Sequence, residues 1–171
     1  KIQDVTTLEE YTKPLLELLA ATPDGEKVIL VGHSLGGLNL ALAMERFPTK
    51  VAVGVYLAAF MPDTSNLPSF VLNQYNQRTP AEAWLDTQFA PYSLSQQHLT
   101  TMFFGPKFLQ KKLYQNCNIE DLELAKALVR PSSLFLYDLE KSKNYSEEEY
   151  GSVPRAYIVC DEDQAIPVEF Q

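Results

Sequence analysis

Ser34 stands in Gly32-His33-Ser34-Leu35-Gly36-Gly37, between the apolar run Val28 to Val31 and the segment Leu38-Asn39-Leu40-Ala41-Leu42-Ala43-Met44. A serine flanked by glycines where a strand gives way to a helix matches a nucleophile elbow, in which a sharp turn presents the hydroxyl at the edge of a sheet. Gly32 and Gly36, two residues before and two after, would keep that corner free of collisions. The Leu35 N–H, at the positive end of the following helix, would face the oxyanion formed when Ser34 attacks a carbonyl. The chemistry this permits is acyl transfer through a serine ester. A helix N-cap serine would leave the paired glycines unexplained, and a phosphate-binding turn would need Gly-x-Gly-x-x-Gly or a Lys-Ser/Thr pair.

A serine nucleophile needs a base, and the base needs an acid to orient it. Asp161, Glu162 and Asp163 directly follow the apolar segment that ends at Val159, and the carboxyl edge of a parallel sheet would gather any of the three near Ser34. The chain has two histidines. His33 adjoins the nucleophile but diverges from it, and is expected as a buried or hydrogen-bonded corner residue. His98, in Ser95-Gln96-Gln97-His98, reads as a polar surface turn or helix start and takes no role. The residues therefore supply a nucleophile, one oxyanion donor and an acid, without an evident general base.

The elements that must position these groups follow from periodicity. Apolar residues at Val5, Leu8, Leu15, Leu16, Leu18 and Leu19 predict a helix over 5–21, opened by a capping box of Thr6 with Glu9 or Thr7 with Glu10 and containing Pro14. Thr22-Pro23-Asp24-Gly25 is a turn by composition. Lys27 to Val31 predicts a strand buried on both faces, Leu35 to Phe47 a helix stopped by Pro48, and Val51 to Ala59 a second buried strand. This alternation is that of a parallel sheet covered by helices. From about 62 to 150 the chain turns aromatic, with helical patterns near 80–88, 106–115 and 119–129, the last capped by Asn118, and it reads as a mainly helical cap inserted into the core. Ser146 to Glu149 is a further capping-box pattern. Arg155 to Cys160 returns as a third strand, giving one domain with its core at 1–61 and 151–171.

With 171 residues, 46% hydrophobic and 21% charged, the chain has the length and composition of one globular domain rather than of a disordered segment. A formal charge of −8 and the lack of a basic cluster argue against nucleic acid and membrane surfaces as partners. Cys117 and Cys160 form no metal-binding spacing and no disulfide framework, so a reducing, cytosolic compartment is expected. The apolar runs fall short of the ~18 residues of a membrane span. The start at Lys1 and the stop at Gln171 lead to the expectation that both ends of a longer fold are missing.

The residues resemble the plant methylesterases of the α/β-hydrolase superfamily. The likeness rests on 26–37, on Leu57-Ala58-Ala59-Phe60-Met61-Pro62-Asp63, on Trp84-Leu85-Asp86-Thr87-Gln88-Phe89, on Met102-Phe103-Phe104-Gly105-Pro106, on 128–135 and on Tyr157-Ile158-Val159-Cys160-Asp161-Glu162-Asp163. It implies an α/β-hydrolase fold with Ser34 as nucleophile, Asp163 as the triad acid and the Leu35 amide in the oxyanion hole. It further implies Phe60, Tyr75, Trp84, Phe89, Met102, Phe104 and Leu134 as walls of an aromatic pocket under the cap. The implied ligand is a small ester or aromatic acid, such as methyl salicylate, methyl jasmonate or methyl indole-3-acetate, with no metal or organic cofactor and a homodimer as the family-level assembly. Related hydroxynitrile lyases tend to carry Glu before and Cys after the serine, and His33 and Leu35 here point to the esterases. Family members also carry a His-Gly loop before the region corresponding to Lys1 and a Gly-x-Asp-His segment after that of Gln171. The resemblance thus allows a second expectation, a non-catalytic product that at most binds an aromatic acid.

Overall fold

The computed structural model describes all 171 residues, Lys1–Gln171. Helix α1 (Leu8–Ala21) opens on the capping box of Thr7: its hydroxyl accepts from Glu10 N–H at 3.1 Å, and the Glu10 carboxylate accepts from the Thr6 and Thr7 amides. Pro14 lies inside the helix. A turn with Gly25 at φ 86° leads into β1 (Val28–Ser34), followed by α2 (Gly36–Arg46) and β2 (Val51–Ala59). The last strand, β6 (Arg155–Ile158), pairs with β2, so the core sheet is parallel with the order β1-β2-β6.

The two faces of this sheet differ. Side chains alternate along a strand. Leu40, Ala41 and Met44 of α2 bury Tyr56 of β2 completely, joined by Leu19 of α1 and by Tyr145, Tyr150 and Val153. Ile29 and Val31, on the other face, are 65% and 62% exposed, and Ile158 of β6 is 49% exposed. The expected burial of β1 on both faces is therefore corrected: α1 and α2 cover one face of the sheet, and no helix of this chain covers the other.

Between β2 and β6 the chain forms α3 (Phe70–Arg78), then β3 (Gln88–Pro91) and β4 (Thr100–Phe103). It continues through α4 (Pro106–Phe108) with a π-helical turn over Leu109–Leu113, α5 (Ile119–Leu128), β5 (Ser132–Ser133) and α6 (Leu136–Lys141). The three short strands form a separate antiparallel sheet in the order β3-β4-β5. The helical pattern near 80–88 resolves instead into a 3-10 turn, Ala81–Trp84, and the start of β3. Asn118 does precede α5, but its side chain makes no capping bond. Ser146 starts a turn rather than a helix: its amide and hydroxyl, with the Tyr150 amide, are drawn to the Glu45 carboxylate. A second buried cluster, Leu8, Leu38, Phe60, Leu72, Tyr75, Phe135, Leu139 and Ile166, joins this segment to the end of the sheet where Ser34 lies.

Candidate active site

Ser34 ends β1 at φ 55°, a left-handed conformation that a residue with a Cβ adopts at a cost of about 1–3 kcal/mol and that recurs at functional sites. Two neighbouring glycines permit this corner. A Cβ on Gly32 would lie 2.7 Å from the Gly36 carbonyl oxygen and from Leu40 Cδ1, and one on Gly37 would run into the Phe60 carbonyl oxygen. A Cβ on Gly36 would meet nothing within 4 Å, so the crowded pair is Gly32 with Gly37, not Gly32 with Gly36. The Phe60 N–H donates to the Ser34 carbonyl at 3.1 Å, tying the end of β2 to the corner. Leu35 precedes α2, and its N–H donates to no group of the protein.

A cavity of about 210 Å³ opens at Ser34. Its walls include Leu35, Phe60, Tyr75, Trp84, Met102, Phe104 and Leu134, together with Leu72, Asn76, Phe108, Leu113, Ala165 and Ile166. The aromatic walls interlock. Tyr75 meets Phe60 and Trp84 edge-on at 5.3 and 5.8 Å, and Phe108 stacks on Phe104 at 4.6 Å and on Trp84 at 6.1 Å. Phe89 does not line this cavity. It lies on β3, 45% exposed, with its ring edge-on to Trp84 at 5.2 Å, and it borders a neighbouring chamber instead.

Asp163 sits behind the Ser34 cavity. Its Oδ1 accepts the amides of Ala165 (2.7 Å) and Ile166 (2.9 Å), two residues of the cavity wall. Only that oxygen is engaged within the protein, which leaves Oδ2 able to orient a base. Burial is the main cause that pushes the Tyr75 phenol above its ordinary value, with the nearby Asp163 charge a smaller push in the same direction; as a neutral donor Tyr75 binds the Ala165 carbonyl at 2.6 Å. Asp161 and Glu162 are exposed, and Glu162 accepts from Asn116 at 2.8 Å.

His33 borders the cavity but is exposed and makes no side-chain hydrogen bond, against the expectation of a buried or bonded corner residue. Strand alternation places it with Ile29 and Val31 on the sheet face that α2 leaves open. His98, in an exposed turn, packs its ring 4.3 Å from Tyr137 and borders the neighbouring chamber rather than the Ser34 cavity.

The sequence matches the alpha/beta hydrolase family over residues 2–171. The chain belongs to the alpha/beta hydrolase family. Among its relatives, salicylic acid-binding protein 2 of Nicotiana tabacum is 62% identical over 171 residues, covering 100% of this chain and 66% of the relative. Methylesterase 1 of Arabidopsis thaliana is 56% identical over 170 residues, covering 99% of this chain and 64% of the relative. The crystal structure of polyneuridine aldehyde esterase superposes with a TM-score of 0.95 at 48% identity, covering 99% of this chain and 66% of that one. This alpha/beta hydrolase chain thus spans just under two thirds of the length of these relatives.

Four wall residues escaped sequence reasoning although a signal existed. Leu72 and Asn76, with Tyr75, fall on one face of α3 at helical spacing, and Ala165 and Ile166 stand two and three residues after Asp163. Phe108 and Leu113 carried no comparable signal, because the register of the α4 and π-helical turn decides where they point. That register is anchored by Asp86, which accepts the amides of Lys107 and Phe108 at 2.9 Å each. Burial is the largest single influence and works against the Asp86 charge, yet the Lys107 and Phe108 amides, joined by its own amide and the Lys107 charge, together outweigh it and hold the carboxyl below its ordinary value.

Proposed function

We propose that this chain carries the nucleophile, acid and acyl pocket of a carboxylesterase that hydrolyses methyl esters of small plant acids, methyl salicylate, methyl jasmonate and methyl indole-3-acetate among them. The observation that carries this reading is Ser34 at φ 55° opening into a cavity walled almost entirely by apolar side chains. An apolar wall with a few polar groups suits a flat or cyclic acyl group. The methylesterase and salicylic acid-binding names of the relatives support the same substrate class.

Ser34 Oγ attacks the ester carbonyl while the unengaged Leu35 N–H donates to the oxygen as it gains charge. A histidine oriented by Asp163 takes the serine proton and returns it to the departing methanol; water then splits the acyl-serine ester and releases the free acid. Neither His33 nor His98 fits that role, and we assign it to a histidine outside these 171 residues. No metal or organic cofactor is required. The full-length protein is expected to release methanol from these esters, and Ser34→Ala to abolish that release. Equal release by both, or none from any ester, overturns the reading.

The placement of the two histidines favours a second reading for the chain alone, a binder of aromatic acids without turnover. Fluorophosphonate treatment separates the two: a covalent adduct on Ser34 supports the esterase, and an unlabelled Ser34 in a chain that still binds salicylate supports the binder.

A further inference from the structure

A second chamber of about 330 Å³ adjoins the Ser34 cavity, and the two share Asn76, Trp84 and Leu134 as a common partition. Its floor is buried, with Leu99 and Phe135, and its outer rim carries His98, Thr100 and Tyr137. The chamber by Ser34, about 210 Å³, falls below the roughly 300–1,000 Å³ of pockets that enclose a drug-sized ligand, whereas the two together fall within that range.

The partition contains one fixed member and one adjustable member. The Trp84 ring is held edge-on by Tyr75 and Phe89 and stacked on Phe108, so it has little room to turn. Leu134 is a half-buried aliphatic side chain with several staggered states. The backbone beside it is held: Phe135 stands at φ 51°, its N–H donating to Ser133 Oγ at 3.2 Å and its carbonyl accepting from Leu139 N–H at 2.9 Å. Leu134 is therefore the member of the partition with freedom to move aside. The Asn76 side chain, on the same partition, makes no hydrogen bond within the protein.

We infer that the acyl site is two-chambered. Resting on the esterase reading, this makes the preferred substrates methyl esters of elongated acids, whose carboxyl end lies at Ser34 and whose apolar arm passes Leu134 into the chamber under His98 and Tyr137. Compact benzoate-like acids would fill the first chamber only.

Trp84 is the single tryptophan of the chain and borders both chambers, so its fluorescence reports occupancy without turnover. In a Ser34→Ala background, 6-phenylhexanoate is expected to bind about tenfold more tightly than phenylacetate, because its extra methylenes are buried in the second chamber. Adding Thr100→Phe, which fills that chamber from an exposed strand position, should erase most of this preference and leave phenylacetate affinity within about twofold. Should that variant fail to fold, His98→Phe in its exposed turn is read the same way. An unchanged preference in the filled variant, or equal weakening of both acids, overturns the inference. Turnover of methyl phenylacetate by the full-length protein with Ser34 intact tests the esterase reading separately: its absence alongside a length preference in binding removes the esterase and keeps the two chambers.

Discussion

The Ser34 corner and the wall that faces it are built on different principles. The corner is a backbone construction: a left-handed serine, two glycines whose missing side chains let main-chain atoms approach, and a Phe60 amide bonded to the Ser34 carbonyl. The wall is a side-chain construction in which Tyr75, Trp84, Phe104 and Phe108 pack ring against ring from separate elements. A backbone corner has one geometry or none, since no side chain can absorb an error there. An aromatic wall can be reshaped by exchanging volumes. On the proposed esterase reading, reaction type would reside in the corner and substrate choice in the wall.

The largest expected effect comes from the corner's own chemistry. In the full-length protein Ser34→Ala should lower turnover by at least ~10³-fold while thermal unfolding stays within a few degrees of the parent. A loss of activity that followed a loss of folding would blur the division between corner and wall. Gly37→Ala attacks the corner without touching the nucleophile. Its methyl group would strike the Phe60 carbonyl oxygen, and a destabilisation of about 3 kcal/mol is expected, read as a fall in unfolding midpoint of roughly 6–12 °C.

The wall should yield more gently. Asp86→Ala removes the acceptor of two amides at the start of α4 and should cost about 1 kcal/mol, with KM rising while kcat changes little. Acidification should act in the same direction: the Asp86 carboxyl titrates lower in the folded chain than in the unfolded one, so its contribution is complete above its ordinary value of 3.8 and is lost as pH falls through the folded value. An acid titration of the unfolding midpoint in wild type and in Asp86→Ala isolates that share. The smallest effect belongs to Gly36→Ala. Nothing lies within 4 Å of the added methyl and the residue begins α2, so stability should change by under about 1 kcal/mol, toward the more stable side. A large loss there would mean that the corner is crowded on both flanks.

Local features were the legible ones. The capping box at Thr7, the strand ending at Ser34 and the second strand from Val51 to Ala59 each follow from a few adjacent residues, whose backbone preferences and side-chain bonds reach only three or four positions. The helical pattern near 80–88 fails because β3 has four residues and exists through its pairing with Thr100–Phe103; four residues show no decisive period. His33 and Ile29 were misplaced because burial depends on which faces the helices cover, and strand alternation alone does not say which.

By itself, then, the sequence located the elbow at Ser34 as the candidate nucleophile and pointed to the family, because an elbow is written in contiguous residues and its glycines answer to main-chain geometry. Only the tertiary structure decided that Gly37 rather than Gly36 is the crowded partner, that Phe89 lies beyond Trp84, and that Phe108 and Leu113 join the wall. Those outcomes depend on residues of separate elements meeting in one volume, and packing of that kind has no local signature.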